Sequence, residues 1–172
     1  QVEVVKLLLE HGVNIDVAHK EGWTVLMTAA AAGQVEVVKL LLEHGANVDA
    51  LDKGGRTGLI WAVNNAQVGV FKFLLDYGAR IDIADNDGRP ALMYAAAVGH
   101  VQIAQLLIAA GVDVNVVDHT GKTALMYARE QGHAEMVELL LQAGATEKPD
   151  APQEEPAQNQ NKNLLDSLFM SK

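Results

Sequence analysis

Hydrophobic and polar positions along the chain follow two different helical patterns. Residues 24–32 form a short alanine-rich run, and Thr24 stands where a helix N-cap is expected. After Gly33, the stretch QVEVVKLLLEHG at 34–45 places valine and leucine on one side of a helix and charged residues on the other. Gly45 occupies the position of a left-handed C-cap residue. The pattern therefore predicts a unit of helix, turn, helix and loop.

The same unit recurs at constant spacing. The stretch QVEVVKLLLEHG at 1–12 is repeated without change at 34–45. Two glycine columns and one leucine column keep a step of about 33 residues: Gly12, Gly45, Gly78, Gly111 and Gly144; Gly22, Gly55, Gly88 and Gly121; Leu26, Leu59, Leu92 and Leu125. One helix pair of this kind cannot bury its apolar face alone. We therefore expect the units to stack, with Leu92 in the stacked interface.

These units resemble ankyrin repeats. The resemblance is carried by GWTVLMTAAAAGQVEVVKLLLEHGANVDA, GRTGLIWAVNNAQVGVFKFLLDYGARIDI, GRPALMYAAAVGHVQIAQLLIAAGVDVNV and GKTALMYAREQGHAEMVELLLQAGA. The chain departs from the T-P-L-H pattern of the family, whose proline and histidine positions hold Val25, Gly58, Ala91 and Ala124, and Met27, Ile60, Met93 and Met126. The stretch TALMYA at 123–128 resembles bacterial members. The resemblance implies an all-α solenoid of stacked helix-turn-helix units with β-turn or hairpin loops.

We divide the chain into a repeat array at 1–147 and a C-terminal segment at 148–172. The array consists of a half repeat at 1–17, full repeats at 18–50, 51–83 and 84–116, and a C-terminal capping repeat at 117–147. Arg129 indicates the cap, because it stands where earlier units carry alanine or valine and a terminal unit has no neighbour to cover that face. Composition predicts a disordered linker rich in Pro, Gln, Asn and Glu, followed by a short apolar tail.

Composition narrows the range of partners. The formal net charge of −9 gives no electrostatic footprint for a nucleic-acid backbone or an anionic membrane surface. The absence of cysteine excludes disulfides, thiolate nucleophiles and sulfur-ligated metals. Residues 90–112 carry no charge and are long enough to span a bilayer. However, the turn at Gly99 and His100 and the register with the sister units indicate two helices of the array instead.

Motifs for catalysis or metal binding are missing from the sequence. The six histidines lack metal-ligand spacing, and His100 and His133 match the Gly-His turn of the family. The segment 85–88 resembles part of a calcium loop, but no acidic residue follows its glycine at the required place, so it is interpreted as a repeat turn. The serines, Ser167 and Ser171, both lie in the tail. We expect no cofactor, no metal and no catalytic residue, and hence no enzyme.

The outward face of the first helices is the predicted variable surface. Helical spacing places Trp61, Tyr94 and Tyr127 in one column on this face. Immediately before the first helices stand Trp23, Arg56, Arg89 and Lys122. The resemblance implies that the loop tips and the concave face of these helices bind partners. A simpler interpretation is that the aromatic rings fill gaps between small alanines.

The unit at 51–83 differs from its neighbours in where it carries glycine. Ala66 replaces a turn glycine, which costs about 1 kcal/mol if the position requires a left-handed backbone. Gly58 and Gly69 weaken any helix that contains them. Such violations gather at functional sites, although sequence drift also explains them. We predict a groove centred on Trp61 that suits an acidic or carbonyl-rich partner. The predicted partner-binding residues are Trp23, Arg56, Trp61, Asn64, Asn65, Arg89, Tyr94 and Tyr127.

The leading functional hypothesis is a monomeric scaffold that binds another protein of unknown identity. The alternative is a regulatory or targeting module of a larger protein whose catalytic domain lies upstream, because the chain starts at Gln1 within a helical pattern and resembles a fragment. The cytoplasm is the favoured compartment, and the periplasm or secretion stay open. For the tail, docking onto the array, binding to a partner and neither of these all stay open.

Overall fold

The computed structural model describes residues 2–12 and 14–146. The predicted linker and apolar tail at 148–172 lie outside the described residues. The helices of the described part are α1 (Val2–Glu10), α2 (Val25–Ala31), α3 (Val35–Glu43), α4 (Gly58–Asn64), α5 (Val68–Tyr77), α6 (Ala91–Val98), α7 (Val101–Ala109), α8 (Ala124–Glu130) and α9 (Ala134–Gln142).

Threonine caps start most of the first helices. The hydroxyls of Thr24, Thr57 and Thr123 accept hydrogen bonds from the backbone N–H three residues later, at 3.2–3.3 Å. Helix α6 instead begins after Pro90, which has no side-chain hydroxyl. Gly45 adopts a φ of 87°, the left-handed conformation predicted for it.

The helices form two layers with the core between them. The short first helices α2, α4, α6 and α8 contact each other in chain order, and the longer helices α1, α3, α5, α7 and α9 form the second layer. Alanines such as Ala62 and Ala95 are fully buried and let the first helices approach closely. Leu92 is buried in the same core. This all-helical stack confirms the predicted fold class.

Two departures along the array follow from single residues. In α8, Arg129 is exposed at the position where Ala30, Val63 and Ala96 are fully buried, so this face of the last unit is polar. The uncharged stretch 90–112 is divided into α6 and α7 by Gly99, whose φ is 74°. In the described part of the chain, no helix is long and apolar enough to cross a membrane.

Candidate partner-binding surface

Each loop before α4, α6 and α8 contains a buried aspartate. Asp52, Asp85 and Asp118 fold the loop around their own carboxylate, because each accepts hydrogen bonds from the backbone N–H groups two and four residues later at 2.8–2.9 Å. The loop backbone is thereby fixed by a charged side chain. The segment 85–88 is a turn of this kind, which agrees with its interpretation as a repeat turn.

The same carboxylate organises Arg56 and Trp61 in the second unit. Asp52 Oδ2 accepts hydrogen bonds from Arg56 Nε at 2.9 Å and from Trp61 Nε1 at 3.1 Å. The guanidinium carbon of Arg56 lies 4.2 Å from the centroid of the Trp61 ring, a cation–π contact. On its other side, Trp61 contacts Trp23, with ring centroids 4.1 Å apart. The predicted centre of the groove is therefore a fixed aromatic pair.

The third unit repeats the arrangement with tyrosine. Asp85 Oδ2 accepts a hydrogen bond from the Tyr94 hydroxyl at 2.6 Å, and Arg89 Nε donates to the same oxygen at 2.9 Å. Arg89 also donates to Asp87 Oδ2 at 2.6 Å. Its guanidinium carbon lies 5.5 Å from the Tyr94 ring centroid. Arg89 is thus neutralised by two carboxylates.

The fourth unit uses lysine in place of arginine. The Tyr127 hydroxyl donates to Asp118 Oδ2 at 2.6 Å, and Lys122 Nζ lies 5.4 Å from the Tyr127 ring centroid. Lys122 Nζ also donates to Glu130 Oε2 at 2.8 Å. Three successive units therefore carry an aspartate, a cation four residues later and an aromatic residue nine residues later.

These contacts shift the pKa values of the aspartate and tyrosine side chains. Burial alone would raise the pKa of Asp85, but hydrogen bonds from Arg89 and Tyr94 outweigh it and hold the pKa below its ordinary value. For Asp118, burial again raises the pKa, but hydrogen bonds from Tyr127 and Thr120 outweigh it, so the pKa lies below its ordinary value. Burial, together with the hydrogen bond to Asp85, raises the pKa of the Tyr94 hydroxyl. Both aspartates are therefore charged and both tyrosines neutral at pH 7.

The role of the loop aspartates was not predicted from the sequence, where only the segment 85–88 was interpreted, as a repeat turn. The signal was present, since Asp52, Asp85 and Asp118 keep the repeat spacing and stand at a fixed distance from the cation and the aromatic residue. Their role explains the aromatic column better than gap filling does. Each ring is tied through a polar atom to a buried charge and carries a cation on its face.

Six of the eight predicted site residues form one row across the array. Trp23 contacts Trp61 across the boundary between two units, and the arrangement of aspartate, cation and aromatic ring then repeats in the following units. The row comprises Trp23, Arg56, Trp61, Arg89, Tyr94 and Tyr127. Its members are all half-buried, so each ring and each cation keeps a surface exposed to solvent.

The two predicted asparagines lie at the end of α4, away from the loops. Asn65 Nδ2 donates to the carbonyl oxygen of Trp61 at 2.9 Å and thereby closes the last turn of the helix. The backbone of Asn64 lies close to the His100 ring of the next unit. Asn65 is exposed and Asn64 half-buried. The asparagines extend the surface beyond the row along the same helix.

Backbone hydrogen bonds between neighbouring loops hold the row in register. Lys53 N donates to Glu21 O at 3.0 Å, Asn86 N to Gly54 O at 2.8 Å, and His119 N to Asp87 O at 2.8 Å. Each loop therefore donates to the loop before it, as adjacent strands do. These backbone hydrogen bonds fix the spacing of the exposed loop side chains along the array.

The rings of three histidines, His11, His44 and His133, bond to backbone carbonyl groups. His44 Nδ1 lies 2.9 Å from Leu40 O at the end of α3, and His133 Nε2 lies 3.2 Å from Ala97 O in the preceding unit. The second contact joins two units. Among the residues that the structure describes, no group of three or more histidine, aspartate or glutamate side chains is arranged to hold a metal ion.

A model of a known protein family matches the chain. A family model for ankyrin repeats in three copies matches residues 1–85 and, in a second match, residues 59–151. A search of curated proteins found no match. Ankyrin repeats generally mediate protein–protein interactions. Because the matched segments cover most of its length, the chain belongs to the ankyrin repeat family.

Proposed function

We propose that this chain is a protein-interaction scaffold that binds its partner along the row of Trp23, Arg56, Trp61, Arg89, Tyr94 and Tyr127. The observation that carries the proposal is the repeated unit of buried aspartate, cation and aromatic ring. A buried carboxylate that receives four hydrogen bonds fixes the side chains around it before any partner arrives. Rings and guanidinium groups held in this way lose little conformational entropy on binding.

The composition of the row supports the same function. Tryptophan, tyrosine and arginine are the residue types that dominate binding hot spots. Here they occupy consecutive units on one surface, where an extended segment or a helix of a partner can contact several at once. The Trp23–Trp61 pair is the largest aromatic surface in the row and occupies its first two units.

The charges along the row favour an acidic partner at the Arg56 end. Arg89 and Lys122 each bind an exposed carboxylate, from Asp87 and Glu130 respectively. In the described residues, the ion pair of Arg56 is with the buried Asp52 alone. The exposed loop residues Lys20 and Lys53 add positive charge on this side. A carboxylate or a carbonyl-rich segment of the partner is therefore expected next to Trp61.

The test compares bait proteins in a capture from the native host followed by mass spectrometry. Wild type, Trp61→Ala and Arg89→Ala are used as baits, with Lys72→Ala as the matched control, because Lys72 is exposed on α5 in the other helix layer. A true partner is retained by wild type and Lys72→Ala and is lost or reduced with Trp61→Ala. Its affinity is then measured with purified proteins.

We expect Trp61→Ala to lose about 2 kcal/mol or more of binding free energy. Circular dichroism and thermal melting of the same variants exclude unfolding as the cause. Equal affinity of wild type, Trp61→Ala and Arg89→Ala would overturn the proposed surface. A partner lost only with Lys72→Ala would place binding on the second helix layer instead.

A further inference from the structure

The junction between the second and third units, at 51–83 and 84–116, contains an apolar cleft. It has a volume of about 260 Å³ and lies between the loops that follow α5 and α7. Its apolar walls are Ile81, Ala84, Pro90, Leu92, Val112 and Val116. Two carboxylates, those of Asp82 and Asp113, flank it. We call this feature the junction cleft.

One cause of the cleft is the residue after the left-handed glycine. Ala46, Ala79 and Ala145 occupy this position in other units and are buried, whereas Val112 is half-buried. The backbone bond from Val112 N to Leu107 O is 3.4 Å long, compared with 2.9–3.0 Å for the three alanines. The loop that contains Val112 therefore lies further from α7 than the loops that contain the alanines lie from their helices.

A second cause is a missing bond between the units. At the other junctions a side-chain oxygen accepts the backbone N–H of the next loop: Asp16 from Asn47, Asp49 from Arg80, and Asn115 from Thr146, at 2.8–3.1 Å. At this junction the carboxylate of Asp82 instead binds the Arg80 guanidinium, at 2.9 and 3.1 Å. Among the described residues, the bond from Asp113 N to Asp82 is absent, so this junction lacks a link that the other three have.

We infer that the junction cleft is the docking site of this chain's own apolar tail, with Leu164, Leu165, Leu168 and Phe169 as the docking face. The point where the described chain stops supports this occupant. Thr146 N and Oγ1 bind Asn115 Oδ1 at 2.8 and 3.3 Å, and Asn115 Nδ2 donates to Gly144 O at 3.1 Å. Asn115 stands between Asp113 and Val116 of the cleft, so the segment towards the tail starts beside it.

The length of the intervening segment also fits. Residues 147–163 span up to about 60 Å when extended, far more than a path to an adjacent loop requires. A short linker holds its attached segment at an effective concentration on the order of mM. Docking that would be too weak between separate molecules is therefore populated within one chain.

The chemistry of the two surfaces is complementary. The tail offers apolar side chains four residues apart, which is the spacing of one helix face, and the cleft offers apolar walls. Lys162 precedes the apolar residues, and Asp113 provides a carboxylate at the cleft while Asp82 is engaged by Arg80. Docking of the apolar face of the tail removes apolar surface of the tail and of the cleft from water, which favours the docked state.

The experiment uses the full chain with Ser171→Cys, which creates a single cysteine for a nitroxide label because the chain has none of its own. In NMR spectra, the methyl signals of Val112, Val116 and Leu92 are expected to be broader with the nitroxide than after its reduction. The methyl signals of Val37 and Leu41 in α3 should keep their intensity. Deletion of residues 150–172 is expected to shift the signals of the cleft and to leave those of α3 unchanged.

Two control variants separate docking from chance proximity. Leu168→Asn combined with Phe169→Asn removes the apolar face of the tail and should abolish the broadening. Ala84→Gln fills the mouth of the cleft and should do the same. It should still fold, since Leu51 and Val117 stand exposed at the matching positions of other units.

Three results would overturn the inference. Broadening that survives both variants, or that is uniform along the array, would mean that the tail does not dock in the cleft. Broadening centred on Gln102 and Gln105 would assign the outer surface of α7 instead. Broadening seen only when labelled and isotope-enriched copies are mixed would show that the tail docks onto a second copy.

Discussion

Helices α1 and α3 have the same sequence, VEVVKLLLE, but occupy different environments. In α1 the exposed fractions of Val4, Leu7 and Leu8 are 60%, 51% and 50%. The matching residues of α3 are far less exposed: Val37 4%, Leu40 8% and Leu41 2%. Both segments are helical, so the local sequence specifies the helix.

The difference between the two helices comes entirely from their neighbours. Helix α3 contacts the first helix of its own unit, α2, and the second-layer helices on both sides, α1 and α5. The main contact of α1 is with α3. The burial of an apolar stripe in this array is therefore a property of stacking and not of the unit itself.

The largest predicted effect tests this contrast with one substitution made twice. Leu41→Ala should lower the free energy of unfolding by about 2–5 kcal/mol, because it leaves a cavity in the core. Leu8→Ala, in an identical sequence context, should change it by less than about 1 kcal/mol, because its side chain is half exposed. Urea denaturation followed by circular dichroism measures both.

Equal costs for the two substitutions would contradict the comparison. Such a result would mean that the face of α1 is covered in solution as fully as that of α3. Hydrogen exchange resolved by residue sharpens the test, since amides of α1 should exchange faster than the matching amides of α3 in the unmodified chain.

The sequence alone was sufficient to predict the stack, because stacking leaves a periodic signal. The glycine and leucine columns recur with the unit, and each column corresponds to one structural requirement, such as the left-handed backbone at Gly45 or the interface position of Leu92. Both were predicted correctly. The exposed face of α1 could not be deduced from α1 itself, whose sequence is that of a buried helix.

The candidate site was only partly predictable from the sequence. Helical spacing identified the aromatic column and the cations before each helix. It did not identify the bonds from Asp52 and Asp85 to these groups, because the contact depends on how the loop folds back onto the helix. The junction cleft was also unpredicted, since it depends on Val112 and on which partner the Asp82 carboxylate binds.

A second prediction compares two tyrosine hydroxyls, one that donates to the buried carboxylate of Asp85 and one that donates to a backbone carbonyl. Tyr94→Phe should lower the free energy of unfolding by about 1.5–3 kcal/mol at neutral pH, because it removes a hydrogen bond to a buried charge. Tyr77→Phe is the matched control, since that hydroxyl donates to the neutral carbonyl of Leu42, and a loss of about 0.5–1.5 kcal/mol is expected.

The pH dependence of this loss follows from the pKa of Asp85. Its pKa is lower in the folded chain than the ordinary value of about 3.9, so its contribution to stability is fully present above that pH. The contribution is lost as the pH falls through the folded-state pKa. The difference between wild type and Tyr94→Phe should therefore shrink in acid, whereas the effect of Tyr77→Phe should stay constant. Parallel changes in both variants would contradict the assignment of Asp85 as the charged acceptor.

The smallest predicted effect concerns one turn in two neighbouring units. Ala66 has a φ of 57°, and Gly33, at the same position of the preceding unit, has a φ of 71°. The condition under which alanine is costly at this position is therefore met, because the backbone of Ala66 is left-handed and its Cβ atom is strained there. Ala66→Gly should raise the free energy of unfolding by about 1 kcal/mol, less whatever glycine gains in the unfolded chain. Gly33→Ala should lower it by at least as much, because the added Cβ would also meet the side chain of Gln67. Thermal and urea denaturation measure the change in the free energy of unfolding of both variants. A loss of stability in both would mean that the α4–α5 turn accommodates alanine without strain, whereas the α2–α3 turn does not.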